Sequence, residues 1–415
     1  MVTWGGAASG GDSSTVRGEL VNIQALFSNA EAFAALRQDG TVVTWGRSSS
    51  GGDSSSVQAQ LTDVQTIFDC HAAFAALKQD GTVVTWGSPY NGGDSSAVQS
   101  QLTNVRTIFT NSQALAALKF DGTVVTWGGG YAADSSAVQA QLNNVETIVG
   151  NVEAFAALKL DGTVVTWGMG PRGGDSSAVQ DQLTNVEAIF ANPFSFSAIK
   201  SDGTVVSWGD PEYGGDSSSV QNQLINVRTI SSTGYAYAAL KQDGTVVTWG
   251  DSLYGGDSSS VQSQLTNVQA IYSTTQAFAA LKSDGTVVTW GWVSGGGDSS
   301  AVQAQLTNVQ TIFSSGASAF AALKQDGTVV AWGYAPWGGD SSAVQPYLVN
   351  IQTVFSNPSS FAALKLDGTV VTWGKSTTGG DSSAVQSQLT NVQTITGTKG
   401  GGGSPGAFAA LIESP

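Results

Sequence analysis

Residues 32–46 read Ala32-Phe33-Ala34-Ala35-Leu36-Arg37-Gln38-Asp39-Gly40-Thr41-Val42-Val43-Thr44-Trp45-Gly46. Two apolar runs flank Asp39-Gly40, the pattern of a β-hairpin closed by a tight turn. Read as a two-residue type I′ turn, with positive φ at both Asp39 and Gly40, the pair sets Leu36 opposite Val43 and Ala34 opposite Trp45. Those four make one face; Phe33, Ala35, Val42 and Thr44 make the other. A strand pair apolar on both faces belongs to a sheet packed between other sheets, because a sheet wet on one side alternates polar with apolar residues.

The hairpin recurs along the whole chain. Its closing tryptophan stands at Trp4, Trp45, Trp86, Trp127, Trp167, Trp208, Trp249, Trp290, Trp332 and Trp373, always 40 to 42 residues apart. A full unit, such as 51–87, adds a third strand at Val64 to Phe68. Before that strand, Asp53-Ser54-Ser55 resembles a helix N-cap, Val57 and Leu61 give a short helix one apolar stripe, and Ser55 with Gln58 has capping-box spacing. The alternative for this segment is a fourth strand. Units of this kind stack into an open solenoid or a closed ring. The last unit stops after Ala407-Phe408-Ala409-Ala410-Leu411, half a hairpin, and Val2 to Trp4 supplies the missing half. The expectation is an all-β, closed β-propeller of ten ~41-residue blades. It forms one domain over 1–415, with three strands and a short helix or fourth strand per blade, the ring being sealed by pairing its N-terminal and C-terminal strands.

From Val105-Arg106-Thr107-Ile108 to Leu118-Lys119, and on through Asp121-Gly122-Thr123-Val124-Val125-Thr126-Trp127-Gly128, the unit resembles the repeat of the regulator of chromosome condensation family. That resemblance implies a propeller, normally of about seven longer blades, that recruits small GTPases, ubiquitin-pathway components or chromatin. The units here are shorter, Gly-Gly-Asp-Ser-Ser stands where the family has Gly-Gln-Leu-Gly, and the family's strand histidine is missing. No unit carries an insertion long enough to act as the wedge of a nucleotide-exchange factor, so that activity is not expected.

The 415 residues carry a formal charge of −15 with only 11% charged residues. That balance opposes a phosphate-reading surface, so no nucleic-acid partner is expected. No apolar run is long enough for a membrane span, and no signal peptide precedes the first repeat element. The single cysteine, Cys70, excludes an internal disulfide framework and favours an intracellular setting, though the compartment is not fixed by the sequence. With one histidine and one cysteine no catalytic triad can form, and adjacent Cys70 and His71 point apart in extended chain. The repeated Asp53, Asp94, Asp175 and Asp257 are each followed by serines rather than further carboxylates, which suits capping better than a cation. Asp39 and Asp326 are accounted for by their turns, beside Lys78-type and Lys324-type partners. The expectation is a non-enzyme without metal or cofactor.

Differences among the ten units gather in two loops. One follows Trp-Gly. The other lies between the third strand and the hairpin, as at Asp69-Cys70-His71, Asn192-Pro193-Phe194 and, longest, Gly397 to Gly406. The strand directions place both at the same end of each sheet, opposite the Asp-Gly turns. The post-Trp-Gly loops hold Tyr90, Tyr131, Tyr213, Tyr254, Trp292, Tyr334 and Trp337. Aromatics set among Ser, Gly and Asn resemble a paratope, and these seven are the candidate binding residues. The expected function is a non-catalytic scaffold, a monomeric ring engaging a protein partner through this face. The alternatives are a lectin-like glycan-binding module and a ligand-free structural or engineered repeat domain whose loops drift freely.

Overall fold

In the computed structural model the hairpin forms from β3 (Ala32–Arg37) and β4 (Val42–Gly46), preceded by β2 (Ile23–Ser28). Its register differs from the expected one by a residue: Phe33 faces Trp45, Ala34 faces Thr44, Ala35 faces Val43 and Leu36 faces Val42. The turn is the cause. Of the Asp-Gly pair only Gly40 takes positive φ, 79°, and Arg37 N–H reaches across to the Thr41 carbonyl at 2.9 Å. The loop is therefore a three-residue one with glycine in the left-handed position. Asp39 is selected by its carboxylate, which accepts from the Thr41 amide at 2.9 Å and the Thr41 hydroxyl at 2.6 Å. A one-residue slip exchanges the faces of a strand. Phe33, Ala35, Val43 and Trp45 thus share one face, with the Phe33 and Trp45 rings stacked at 5.2 Å.

The same stack recurs as Phe74–Trp86, Phe155–Trp167, Phe196–Trp208, Tyr237–Trp249, Phe278–Trp290, Phe320–Trp332 and Phe361–Trp373. Each such ring pair contributes about 0.5–1.5 kcal/mol beyond the burial of its surface. The architecture is the expected all-β, propeller-type one, with ten three-stranded antiparallel sheets. The structure describes residues 1–400 and 406–413, so 401–405, half of the expected long loop Gly397 to Gly406, lie outside the described residues.

Five sheets belong to a unit of Met1–Gln58 with Asn267–Pro415, and five to a unit of Ala59–Thr266. Within the second unit the packing rule is plain. Ala73, Ala75, Leu77 and Val83 on one sheet meet Leu115, Ala117, Val125 and Trp127 on the next, with Leu102, Val105 and Ile108 filling between. Small alanines on one sheet make room for the large side chains of its neighbour, as close packing requires. In the first unit, β1 (Val2–Gly5) pairs with Ala407–Ile412, which pairs with Val392–Gly397. The half-hairpins at the two ends do complete one sheet.

The segment before each first strand is neither a regular helix nor a strand. It is a 3₁₀ turn, such as Gln99–Gln101, opened where the Ser96 amide donates to the Asp94 carboxylate at 2.9 Å. The glutamine does not pair with the second serine of Asp-Ser-Ser. Gln58 instead accepts from the Ser54 hydroxyl at 2.9 Å and donates its amide to the Val42 carbonyl at 3.0 Å. The same bond runs from Gln99 to Val83 and from Gln180 to Val164. A side chain thereby covers the outer edge of β4, the place where a fourth strand would pair.

Candidate functional site

A backbone bond and a side-chain bond fix the loops at the variable end of three consecutive sheets. The residue after Trp-Gly donates its amide to a carbonyl in the sheet's other loop: Met169 to Glu153 at 3.0 Å, Asp210 to Phe194 at 3.1 Å, Asp251 to Tyr235 at 3.0 Å. An Asn or Thr side chain at the end of the first strand returns the tie. Asn151 donates to the Arg172 carbonyl at 2.6 Å, Asn192 to Tyr213 at 2.7 Å and Thr233 to Tyr254 at 3.1 Å. The two variable loops of a sheet therefore lie together, as the strand directions required. Below them the core tryptophan donates its indole N–H to the loop of the preceding sheet, Trp208 to Gly173 at 3.1 Å and Trp249 to Gly214 at 3.0 Å. The backbone under the loops is held by the repeated core, whatever side chains the loops present.

In these three sheets the bonds define one side-chain pair each, the two members nineteen residues apart in sequence: 153 with 172, 194 with 213, 235 with 254. Their side chains touch. Arg172 Nε lies 3.1 Å from Glu153 Oε2, the Phe194 and Tyr213 rings are 4.6 Å apart, and the Tyr235 and Tyr254 rings 4.4 Å. The pair exists elsewhere with other chemistry. Ser50 donates to Glu31 at 3.0 Å, and at Gln276 with Gly295 a β-carbon on the glycine would stand 2.6 Å from Cβ of the glutamine.

Successive pairs also touch one another. The Arg172 guanidinium sits 4.8 Å from the centre of the Phe194 ring. Tyr235 lies 5.6 Å from Phe194 and 5.5 Å from Tyr213. The result is a continuous row, Arg172, Phe194 with Tyr213, then Tyr235 with Tyr254, across three consecutive sheets of one unit, every ring in it partly open to solvent. Its surroundings are acidic. Asp210 and Asp251 accept from the amides of Glu212 and Leu253 at 3.1 and 2.8 Å, which holds both carboxylates at the loop tips. Glu212, then burial, then Asp210 and Asp251 push the Tyr213 phenol above its ordinary value.

Of the seven expected residues, only Tyr213 and Tyr254 belong to this row. Tyr334 and Trp337 make a separate edge-on pair at 5.1 Å. Tyr90 is 59% exposed and its hydroxyl is 3.3 Å from the Gln113 side chain. Tyr131 and Trp292 are exposed at their loop tips. Phe194, Tyr235 and Glu153 lie in the other variable loop, and Arg172, in the loop after Trp-Gly, is not aromatic, so none of the four is among the expected residues. The signal was present, since 194 and 235 occupy one repeat position, 41 residues apart, in the other variable loop.

Elsewhere the titratable groups have structural work. Cys70 is buried, donates to the Asn111 carbonyl at 3.1 Å, and has its thiol pushed up to about 12 by burial, while His71 is exposed. The two do point apart. Among the described residues no group of three or more His, Cys, Asp or Glu side chains is placed to hold a metal ion, and no helix is long and apolar enough to cross a membrane.

No protein-family model matches the chain, and no curated protein does. Solved structures with some likeness include yeast RCC1 (Prp20) bound to Kap60, at 14% identity over 99% of this chain and 88% of that one, TM-score 0.41. Prp20p from Saccharomyces cerevisiae, reported with its binding to Gsp1p and histones, is 15% identical over 100% of this chain and 91% of that one, TM-score 0.40. The computationally designed Ika8 protein is 17% identical over 75% of this chain and 96% of that one, TM-score 0.34.

Proposed function

We propose that this chain is a non-catalytic binding scaffold that engages another protein through the paired variable loops at one end of its sheets. The observation that supports it is the row of touching, half-exposed rings built from Phe194, Tyr213, Tyr235 and Tyr254. A contiguous group of solvent-accessible aromatic rings marks an interaction surface, and rigid rings on fixed backbone are the side chains that anchor protein interfaces. A repeat of the regulator of chromosome condensation type, shortened, is part of the same proposal, supported by the Asp-Gly to Trp-Gly segment in unit after unit.

The test is chemical cross-linking of the full chain in its native extract. The four aromatics are then replaced together by serine, leaving the core tryptophans intact. The expected result is loss of one reproducible cross-linked protein; an unchanged cross-linked set refutes the proposal. The same half-exposed rings favour the glycan-binding reading second, because a sugar ring stacks on tyrosine, and a glycan array that the serine variant no longer reads would establish it instead.

A further inference from the structure

We infer that the row from Phe194 to Tyr254 receives an extended, arginine- or lysine-bearing segment of the partner, a deepening that rests on the binding function proposed above. The rings supply the surface and the charge supplies the selection. At its Glu153 end the single cation, Arg172, is compensated by the ion pair at 3.1 Å. At the other end Asp210, Glu212 and Asp251 have no basic residue interleaved in their loops. The field over the rings is therefore negative.

A guanidinium or ammonium lying on a tyrosine or phenylalanine face is attracted by the ring's quadrupole, and a neighbouring carboxylate adds to that attraction. The protein already contains one such contact, Arg172 against Phe194 at 4.8 Å, so the row shows in itself the geometry that it would offer to an incoming cation. An acidic or phosphorylated segment would meet the same carboxylates as repulsion. Successive ring pairs sit on successive sheets, which suits a chain running across the loops with a side chain set down at intervals.

The probe is a fluorescein-labelled peptide of alternating arginine and proline, with a glutamate-for-arginine analogue, titrated against the full-length chain by anisotropy. The arginine peptide should bind, weaken as salt is raised, and lose about threefold or more in affinity with each of Phe194→Ala and Tyr235→Ala. The combination D210N, E212Q and D251N should lose more than either. A control of equal charge, E146Q with D181N and E187Q at exposed positions away from the row, should leave binding unchanged. The inference is overturned if the control weakens binding as much as the loop variants, if the glutamate peptide binds equally, or if neither peptide binds. Failure here, with the cross-linked partner still lost in the serine variant, would remove the basic segment and leave the binding scaffold standing.

Discussion

Replacing Trp4 by alanine tests how the first and last strands are joined. Trp4 is 4% exposed, stacks on Phe408 at 5.2 Å, and donates its indole N–H to the Gly379 carbonyl at 2.9 Å. It lies among Ala362, Leu364, Ile395 and Ala410, so its removal leaves a cavity the size of an indole within a packed cluster. Truncating a buried Trp costs about 3–5 kcal/mol, and an unpaired buried carbonyl adds about 1–3 kcal/mol. Overlap between these effects brings the expected loss to about 4–6 kcal/mol. The readout is hydrogen exchange of the amides in Ala407–Ile412, whose strand lies between β1 and Val392–Gly397. Their protection should fall by roughly a thousandfold or more. T3A is the comparison: its hydroxyl, 3.0 Å from Ser13, is worth about 0.5–1.5 kcal/mol. A change below about tenfold in W4A would show that β1 contributes no more than a frayed end and would refute the packing argument.

Cys70 should weaken the protein in alkali. Burial raises its thiol from 9.0 to about 12, so the unfolded chain ionises first. The stability is complete below the ordinary thiol value and falls as pH rises toward about 12, by roughly 1.4 kcal/mol per pH unit. C70A should flatten that limb in urea titrations between the two values, and an unchanged limb would assign it to other groups. Asp39 runs the other way: the Thr41 hydroxyl, then its amide, hold the carboxyl below its ordinary value. Its contribution is present above the ordinary carboxylate range and is lost as pH falls through the lowered one. T41V should raise the Asp39 carboxyl in an NMR titration, since only the amide bond remains. Y237F should cost about 1–2 kcal/mol. The phenol donates to the Ser195 carbonyl at 2.7 Å and accepts from the Asn192 amide at 3.0 Å, and calorimetry against F196A, a cavity mutation expected to cost about 3–5 kcal/mol, would set the scale.

The sheet architecture was legible because the pattern that encodes it is repeated and because burial on both faces leaves little choice of partner. The hairpin register was not, since it turns on whether Asp39 uses its backbone or its side chain. Sequence motifs for Asp-Gly turns do not distinguish a left-handed aspartate from one whose carboxylate caps the residue two ahead. The glutamine-tethered 3₁₀ segment was hidden for a similar reason: Gln58 bonds across sixteen residues to Val42, outside the reach of a local capping rule. In the candidate site, Tyr213 and Tyr254 were found by counting aromatics in one loop. Phe194 and Tyr235 were not legible because neither tie between the two loops uses the side chains at 194 and 213 or at 235 and 254: one is a main-chain bond and the other runs from Asn192 or Thr233 to a carbonyl.

Those ties also explain how an otherwise uniform repeat can carry a local site. The amide of Asp210 on the carbonyl of Phe194, and the side chain of Asn192 on the carbonyl of Tyr213, hold both loops without using the side chains at 194 and 213. The tryptophan beneath adds a further bond to a carbonyl. Substitution at the paired positions therefore leaves the fold's hydrogen bonds in place, which is why Glu with Arg, Phe with Tyr and Glu with Ser can occupy the same two places in different sheets. What limits the choice is mutual fit, as the glycine at 295 beside Gln276 shows. Replacing Phe194 and Tyr213 by Glu and Arg, the pair already present at 153 and 172, should accordingly leave stability within about 0.5 kcal/mol of the parent, the range for surface changes that break no buried network. It should also interrupt the row of rings. A loss of several kcal/mol in urea unfolding would mean that the rings hold the loops together, and that their aromatic character serves the fold rather than a partner.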